Sequence, residues 1–348
     1  MYSIDKIKIT PEMLSIIAEI DEFKGSWKVL GKIAPERLQS LKKVATIESI
    51  GSSNRIEGNK LSDKQVEELL SRINRKSFAS RDEEEVAGYA NIMDTVFENW
   101  EVMPFTENYI KQFHKTLLQY SSKDEKHRGE YKKLPNNVVA YDPEGKEIGV
   151  VFETASPFDT PLQMKELVNK TDELLQDRFL HPLITIGMFI VHFLAIHPFQ
   201  DGNGRLSRVL TTLLLLKTGY SYVPYSSMEA IIEDNKEGYY RALRQTQMTL
   251  TTSPDYEHWL MFYLRTMQKQ KLRLEHKVGT DIAKMTYLPE LSAKIMEIAK
   301  GQERITISEV IEKTGANPNT VKKHLAELVS DGYLVKHGKT RGAWYTVI

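Results

Sequence analysis

Apolar residues recur at intervals of three and four along most of the chain, as at Leu14, Ile17 and Ala18. This spacing is typical of amphipathic helices that bury one face. The continuous apolar stretch from Val209 to Leu216 is much shorter than the roughly 20 residues needed to cross a bilayer, so it predicts a buried helix. We therefore expect a mainly helical body.

One internal stretch departs from the helical pattern. Two runs rich in β-branched residues, between Asn137 and Phe152, flank the turn-forming residues Asp142 to Gly145. Such an arrangement predicts a β-hairpin. Further along, the charged run from Gln268 to Lys277 indicates an exposed helix that leads out of the body, and we expect a linker near Gly279.

The C-terminal part predicts a compact winged helix-turn-helix. Its elements are a helix around Ile295, a second helix at Ser308–Lys313, a turn at Gly315–Pro318, a third helix at Asn319–Ser330, and two strands within Tyr333–Val347. The pattern as a whole predicts four parts: an N-terminal helical region (1–100), a core (101–266), a linker helix (267–287) and the winged helix (288–348).

Composition narrows the class of protein. The 348 residues are 41% hydrophobic and 27% charged, which is ordinary for a globular protein, and the formal net charge is zero. No overall field therefore draws the chain to nucleic acid or to an anionic membrane. There are no cysteines, which excludes disulfides, thiolate metal sites and thiol nucleophiles. With no stretch of signal-peptide character, we expect a cytoplasmic protein without a membrane segment.

The strongest chemical signal is the run from His197 to Arg208, HPFQDGNGRLSR, which separates two apolar segments. A glycine-rich turn at a helix N-terminus presents unpaired backbone N–H groups that favour phosphate. Arg205 and Arg208 would bind phosphate oxygens from one side of the helix, and Asp201 would supply an oxygen ligand for Mg²⁺. His197 is then placed to take a proton from an incoming hydroxyl. The run predicts a phosphoryl- or nucleotidyl-transfer site.

This run resembles the Fic family motif HxFx[D/E]GNGRxxR at every specified position. The matching residues are His197, Phe199, Asp201, Gly202, Asn203, Gly204, Arg205 and Arg208. The resemblance, which covers roughly residues 46–263, implies a helical Fic fold with a β-hairpin flap. It also implies transfer of AMP from ATP, with Mg²⁺, to a Ser, Thr or Tyr hydroxyl of a target protein, with release of pyrophosphate. His197 would be the base, Asp201 the metal ligand, and Phe199 would pack beneath the turn.

Two further segments gain a role from the same resemblance. The hairpin would be a flap that docks the target by strand addition, although Lys132 stands where relatives often carry arginine. The segment from Asn235 to Leu243 would contribute tyrosines to the adenine pocket. The residues expected to bind ATP are Asn136, Asn137, Val138, Val139, Asp201, Gly202, Asn203, Gly204, Arg205, Leu206, Ser207, Arg208, Tyr239, Tyr240 and Gln247.

An inhibitory segment is implied upstream. The run from Ser53 to Gly58, SNRIEG, matches the family pattern [S/T]xxxE[G/N]. By resemblance, Glu57 would pair with Arg208 and block the productive pose of the γ-phosphate, because a paired carboxylate removes charge that the triphosphate needs. The alternative is that Glu57 is a surface charge at a helix end. His192 is expected to be a packed core residue, and His114 to be structural or at the surface.

Several alternatives stay open at this stage. The basic residues of the winged helix would contact DNA phosphates or serve a protein-docking module. These residues are Lys322, Lys323, His324, Lys336, His337, Lys339 and Arg341. The leading hypothesis is an autoinhibited protein adenylyltransferase. A nucleotide-sensing transcription regulator, a different nucleotide donor and removal of AMP from a modified target are the alternatives. The sequence specifies neither the target nor whether the chain forms a homodimer.

Overall fold

The computed structural model describes residues 6–30, 35–72, 78–141, 147–286, 289–302, 304–330, 333–338 and 342–347. Two compact units divide the chain, Met1–Arg273 and Leu274–Ile348. In the described residues, the first is helical apart from one two-stranded sheet, and the second combines the end of a long helix and three further helices with a small sheet. The expected mainly helical fold with a hairpin flap and a C-terminal winged helix is confirmed.

The helices of the first unit follow one another along the chain with few strands between them. They are α1 (Pro11–Leu30), α2 (Pro35–Ile56), α3 (Asp63–Arg72), α4 (Arg81–Asn99), α5 (Glu107–Leu117), α6 (Thr160–Asp177), α7 (Pro182–Ile196), α8 (Asn203–Lys217), α9 (Met228–Asp234), α10 (Lys236–Gln247) and the start of α11 (Glu257–Thr286). A short 3₁₀ helix, Val223–Tyr225, precedes α9.

The centre of the first unit is the antiparallel succession of α7 and α8, joined by the glycine-rich turn. Nearly every residue of both helices is buried, as expected of helices that are apolar on all sides. Helices α6 and α10 pack on α7, whereas α2, α4 and α5 pack on α8. Because both helix ends at the turn lie inside this framework, the turn itself is held rigidly.

The flap is an antiparallel pair, β1 (Val138–Tyr141) and β2 (Glu147–Phe152), with register irregularities on both sides of Val139–Ala140. This confirms the hairpin that the sequence predicts. The expected turn residues, Asp142 to Gly145, lie outside the described residues. The side chains of Val138 and Val139 are likewise outside them, so only the backbone position of these two predicted ATP-binding residues is described.

The second unit has the winged helix-turn-helix layout. Its elements are α12 (Glu290–Lys300), β3 (Ile305–Thr306), α13 (Ile307–Thr314), α14 (Pro318–Ser330), β4 (Leu334–His337) and β5 (Trp344–Val347). The sheet order is β3-β5-β4, all antiparallel. Ile295, Val310, Val321, Leu325 and Tyr345 belong to one buried core.

Two details differ from the sequence prediction. Gly279, near which a linker was expected, lies inside α11, because a single glycine in a helix of 30 residues costs only about 1 kcal/mol. The sequence also missed β3, which is only two residues long and ends at Thr306, the first residue of the capping box with Glu309. Among the described residues, no helix is both long and apolar enough to span a membrane.

Candidate active site

His197 occupies an unusual backbone position directly after α7. Its φ of 53° and ψ of 59° are left-handed, and its amide closes the helix by donating to the Phe193 carbonyl at 2.9 Å. A non-glycine residue in this region is uncommon and concentrates at functional sites. The backbone at the end of α7 therefore turns sharply at the residue that we expect to act as the base.

The imidazole of His197 is in a state that can accept a proton. Burial lowers its pKa to about 4, although its hydrogen bond to the backbone opposes the shift, so the ring is neutral near pH 7. Nδ1 lies 3.4 Å from the Leu194 carbonyl oxygen. A proton on Nδ1 donates to that oxygen, which leaves the lone pair on Nε2 for an incoming hydroxyl.

The glycine-rich turn is fastened from beneath by Asn203. Its side-chain oxygen accepts from the Phe199 amide at 2.9 Å, and its nitrogen donates to the Phe199 carbonyl at 2.7 Å. Phe199 is fully buried, as expected for a residue that packs beneath the turn. Gly202 has a φ of 79°, a conformation that favours glycine, and α8 begins at the next residue. The first N–H groups of α8 thus face the cleft without intrahelical partners.

Arg205 and Arg208 are both buried, at 2% exposure each, and neither is fully hydrogen-bonded. Within the described residues, Nε and Nη1 of Arg205 and Nη1 of Arg208 have no hydrogen-bond partner. Arg205 has ion-pair contacts with Glu85 at 3.3 Å and Asp201 at 3.5 Å. Buried cationic donors without partners are costly. They indicate a site built for an anion such as a phosphate group.

Asp201 is held as a carboxylate. Burial alone would raise its pKa, but Arg205, the Gly202 amide and Arg81 together hold the pKa below its usual value. Arg81 donates to Oδ2 at 3.1 Å, and the Gly202 amide donates to Oδ1 at 2.6 Å. In the described part of the chain, no three potential metal ligands lie together. The donor set fits Mg²⁺ only as Mg²⁺ usually binds nucleotides, with one carboxylate and the remaining ligands from phosphates and water.

Glu57 reaches the turn from the end of α2. Its Oε1 accepts from Nη2 of Arg208 at 2.8 Å, and a methyl group in place of the Gly204 hydrogen would overlap this carboxylate. Ser53 holds the same arginine, with Oγ at 2.7 Å from Nε and its carbonyl at 2.8 Å from Nη2. Gly58, with a φ of 97°, ends the helix. The carboxylate thus occupies the position over the α8 N-terminus that suits an anion.

A clamp fixes the end of α2 to the rest of the first unit. Arg55 donates to both oxygens of Glu233, at 2.6 and 2.9 Å, and to Asp63 at 2.9 Å. Its pKa is raised, mainly by the hydrogen bond to Glu233. Glu57 is therefore presented by a firmly anchored helix end, even though its own side chain is 31% exposed.

The glycine-rich turn, the end of α2 with Glu57 and Gly58, and α10 line one cleft of about 910 Å³. Of the predicted nucleotide-binding residues, the cleft brings together Asn137, Gly204, Tyr239, Tyr240 and Gln247, alongside His197 and Glu57. The sequence prediction missed seven residues that also line it: Ile56, Phe152, Leu194, Lys236, Arg241, Leu243 and Arg244. Lys236 and Arg244 share the face of Tyr240 at helical spacing, which was the available signal.

Other predicted residues point elsewhere. The side-chain nitrogen of Asn136 donates to the carbonyls of His197 at 3.1 Å and Phe199 at 2.6 Å, so it supports the turn backbone. Ser207 donates to the Gly204 carbonyl at 2.7 Å, and Leu206 is fully buried. The side chains of Asn136, Leu206 and Ser207 hold the turn and α8 in place. Any contact between these residues and the nucleotide would use their backbone atoms.

His114, expected to be structural or at the surface, is buried and supports the turn directly. Its ring stacks on Phe199 with centroids 3.9 Å apart, and Nε2 lies 3.0 Å from the Asp201 carbonyl. The Gly129 amide donates to Nδ1 at 2.8 Å, so Nε2 carries the proton and donates to Asp201. Only its place beside Ile110 on the apolar face of α5 marked it in the sequence, and that position suits any core residue.

The comparisons with known proteins agree with this geometry. A model of the Fic/DOC family matches residues 104–215, and a winged helix-turn-helix DNA-binding model matches residues 288–335. The protein adenylyltransferase Fic of Drosophila grimshawi is 27% identical over 206 residues, covering 59% of this chain and 40% of that protein. A Fido domain-containing protein of Dictyostelium discoideum is 34% identical over 83 residues, covering 23% and 53%. The chain spans about half or less of the length of the curated relatives it matches.

Solved structures share the fold. A Fic family protein from Desulfovibrio desulfuricans G20 superposes with a TM-score of 0.61 at 21% identity, covering 99% of this chain and 98% of the other. A Fic domain-containing signalling protein from Bacteroides thetaiotaomicron VPI-5482 gives a TM-score of 0.61 at 25% identity, covering 75% and 97%. The chain therefore contains a Fic domain followed by a C-terminal winged helix-turn-helix domain.

Proposed function

We propose that this protein is an adenylyltransferase that moves AMP from ATP to a Ser, Thr or Tyr hydroxyl of a target protein or of itself. The observation that carries the proposal is the neutral imidazole of His197 beside a turn whose buried arginines have unused hydrogen-bond donors. An imidazole next to an anion-binding turn suits attack by a hydroxyl on a phosphate. The relative from Drosophila grimshawi, named as a protein adenylyltransferase, supports this choice.

In this mechanism the target hydroxyl loses its proton to Nε2 of His197 as its oxygen forms a bond to the α-phosphorus. The bond from that phosphorus to the bridging oxygen of the β-phosphate breaks, and pyrophosphate leaves. Arg205, Arg208 and the first N–H groups of α8 stabilise the negative charge on the phosphates. Mg²⁺, held by Asp201, would neutralise phosphate charge. The adenine ring of ATP would lie along α10, where Tyr239, Tyr240 and Gln247 line the cleft.

Glu57 would inhibit this reaction. Its carboxylate shares Arg208 with Ser53 and rests against Gly204, so it competes with a phosphate group for the same donors. Repulsion between this carboxylate and the triphosphate adds to the loss of the arginine. With Glu57 in place, the protein would therefore bind ATP in a pose that does not favour transfer. Displacement of Glu57 would activate the protein.

The test is mass spectrometry of lysate proteins after incubation with ATP, Mg²⁺ and the Glu57→Gly protein. We expect AMP adducts on hydroxyl side chains that are absent with Glu57→Gly/His197→Ala. Adducts that are identical in the two reactions, or none in either, would contradict the proposal. The same spectra would identify the target and the type of residue modified.

The C-terminal unit supports DNA binding as a second candidate function. Lys322 and Lys323 are exposed on α14, the helix that follows the turn at Gly315, and such helices enter the major groove in winged helix proteins. The matching family description supports this reading. Acidic residues nearby, such as Glu327, which lies 3.9 Å from Lys323, reduce the positive charge of the helix.

A further inference from the structure

Lys132 is a buried cation at the base of the flap that no step of the proposed reaction uses. The residue is 3% exposed. Its Nζ donates three hydrogen bonds, to Asn136 Oδ1 at 2.7 Å, Thr154 Oγ1 at 2.8 Å and the Ile196 carbonyl at 2.9 Å. An ammonium has three donors, so the group is fully satisfied and has none left for a phosphate. A role as a direct nucleotide ligand is thereby excluded.

The three acceptors come from separate parts of the site. Asn136 precedes β1 and Thr154 follows β2, so they are the two ends of the flap. Ile196 is the last residue of α7, where helical carbonyls lack partners and the helix dipole favours a cation. The backbone amide of Lys132 also donates to the Pro198 carbonyl at 2.8 Å. Through its side chain and its backbone amide, Lys132 therefore joins both ends of the flap to the residues on either side of His197.

The same connection continues through Asn136. Its oxygen accepts from Lys132 and from Thr154, while its nitrogen donates to the carbonyls of His197 and Phe199. The backbone carbonyl of His197 is thus two hydrogen bonds from the ammonium. A shift of the flap ends would be transmitted to the residue that carries the imidazole.

Within the described residues, no carboxylate pairs with this ammonium; burial is the cause of a pKa lowered to about 8. A buried cation held only by neutral oxygens costs stability compared with an apolar side chain. Its charge also helps to keep the pKa of His197 low. Hydrogen bonds that only held the flap in place would not require a charged donor here. A contact that aligns a proton acceptor with a docked hydroxyl benefits from the charge of Lys132.

We propose that Lys132 is a positioning residue, which fixes the distance between the flap that docks the target and the imidazole of His197. This inference rests on the proposed function, because the flap aligns a hydroxyl only if the site transfers a group to one. Misplacement of reacting groups by about 1 Å can cost about 100-fold in rate. The loss should fall on turnover, since nucleotide is bound by other residues.

The experiment compares Lys132→Met, Lys132→Arg and the exposed neighbour Lys133→Met, each in the Glu57→Gly protein. We expect Lys132→Met to lower kcat for AMP transfer by about 10- to 100-fold with little change in KM for ATP. Lys132→Arg should recover most of kcat because it keeps the charge and the donors, and Lys133→Met should match its parent. An unchanged kcat in Lys132→Met, or an equal loss in all three variants, would overturn the proposal.

Two additional measurements keep the test decisive if Lys132→Met folds poorly or if no transfer occurs. Thr154→Val removes one acceptor and leaves the lysine in place, and it should lower kcat in the same direction by a smaller factor. Amide hydrogen exchange of Lys132→Met, which needs no activity, should quicken around Asn136, Thr154 and the end of α7 and stay unchanged in α14. Exchange that is unchanged at the flap ends would contradict the connection through Lys132. Absence of transfer in the Glu57→Gly parent would contradict the proposed function alone.

Discussion

Two turns with left-handed glycines, Gly58 and Gly202, approach each other where the Glu57 carboxylate lies against Gly204, and they are held in different ways. The turn at Gly202 begins a buried helix and is fixed by Asn203, Phe199 and His114. The turn at Gly58 ends α2, and its Glu57 side chain reaches the site through one ion pair while remaining 31% exposed. The first turn offers hydrogen-bond donors to an anion, and the second supplies an anion from the protein.

This difference indicates which part of the site can change. The donors at the α8 N-terminus cannot move without breaking several buried hydrogen bonds, each worth roughly 0.5–1.5 kcal/mol. Among the described residues, rotation of the Glu57 side chain breaks one hydrogen bond, that with Arg208, and its packing against Gly204. We therefore expect regulation to act on the Glu57 side of the cleft, with the phosphate-binding side unchanged.

The largest expected effect is on AMP transfer after substitution of His197, beside the firmly held turn at Gly202. His197→Ala in the Glu57→Gly protein removes the proton acceptor but none of the phosphate-binding groups. AMP transfer should fall by at least about 10² to 10⁴, the usual contribution of a general base. ATP binding, measured by calorimetry, should persist. If His197→Ala retained full transfer, the imidazole would not be the base.

The second-largest expected effect is on AMP transfer after substitution of Glu57, on the other side of the comparison. Glu57→Gly should raise transfer by about 10- to 100-fold, since a charge-assisted hydrogen bond of roughly 1.5–3 kcal/mol no longer competes for Arg208. Glu57→Gln keeps the size of the side chain without its charge and should give a smaller rise. Both are measured as initial rates with labelled ATP, and Glu68→Gln on the exposed face of α3 is the control. Equal rates in the parent protein and its three variants would show that Glu57 does not inhibit transfer.

The predictability of the site from sequence follows the same division. The motif residues could be predicted because each meets a local backbone requirement, such as the left-handed φ of Gly202 or the helix start at Asn203. His114 and Lys132 could not, because their roles depend on residues 60 to 90 positions away in the chain, Ile196 and Asp201 among them. Lys236 and Arg244 were missed because surface cations on a helix are common.

Elements of the fold show a similar limit. Helices α7 and α8 follow from their apolar sequences, and the hairpin follows from β-branched runs around turn residues. Strand β3 has only two residues and gains its stability from pairing with β5, which a local pattern does not reveal. Gly279 suggests a linker in the sequence because glycine weakens a helix, yet α11 continues through it, since one glycine among 30 helical residues costs only about 1 kcal/mol.

A moderate effect is expected on stability in acid. Burial lowers the pKa of His114 to about 4 and of His192 to about 3, below the value of about 6.5 in an unfolded chain. The unfolded state therefore binds more protons, so the stabilisation is complete above pH 6.5 and is lost as the pH falls toward the folded pKa values. Each residue should cost about 2 kcal/mol at pH 5. Thermal unfolding between pH 7 and 5 tests this, and a constant midpoint would contradict it.

The smallest expected effect is in the C-terminal unit. Binding to duplex DNA, followed by gel shift at several salt concentrations, should weaken in Lys322→Ala/Lys323→Ala, with the salt dependence reduced by about one phosphate contact per lysine. The exposed pair Lys64→Ala/Lys165→Ala in the first unit serves as control. Binding that is absent in the parent protein at low salt would favour a protein-docking role for this unit.

The central claim is that the turn at Gly202 binds a triphosphate so that His197 can direct a hydroxyl to the α-phosphorus. The most direct measurement incubates the Glu57→Gly protein together with lysate proteins, Mg²⁺ and ATP labelled either at the α- or at the γ-phosphate. The account predicts that protein retains the α-label only, that pyrophosphate carries the γ-label, and that both disappear with His197→Ala. Retention of the γ-label on protein, or of neither label, would contradict it.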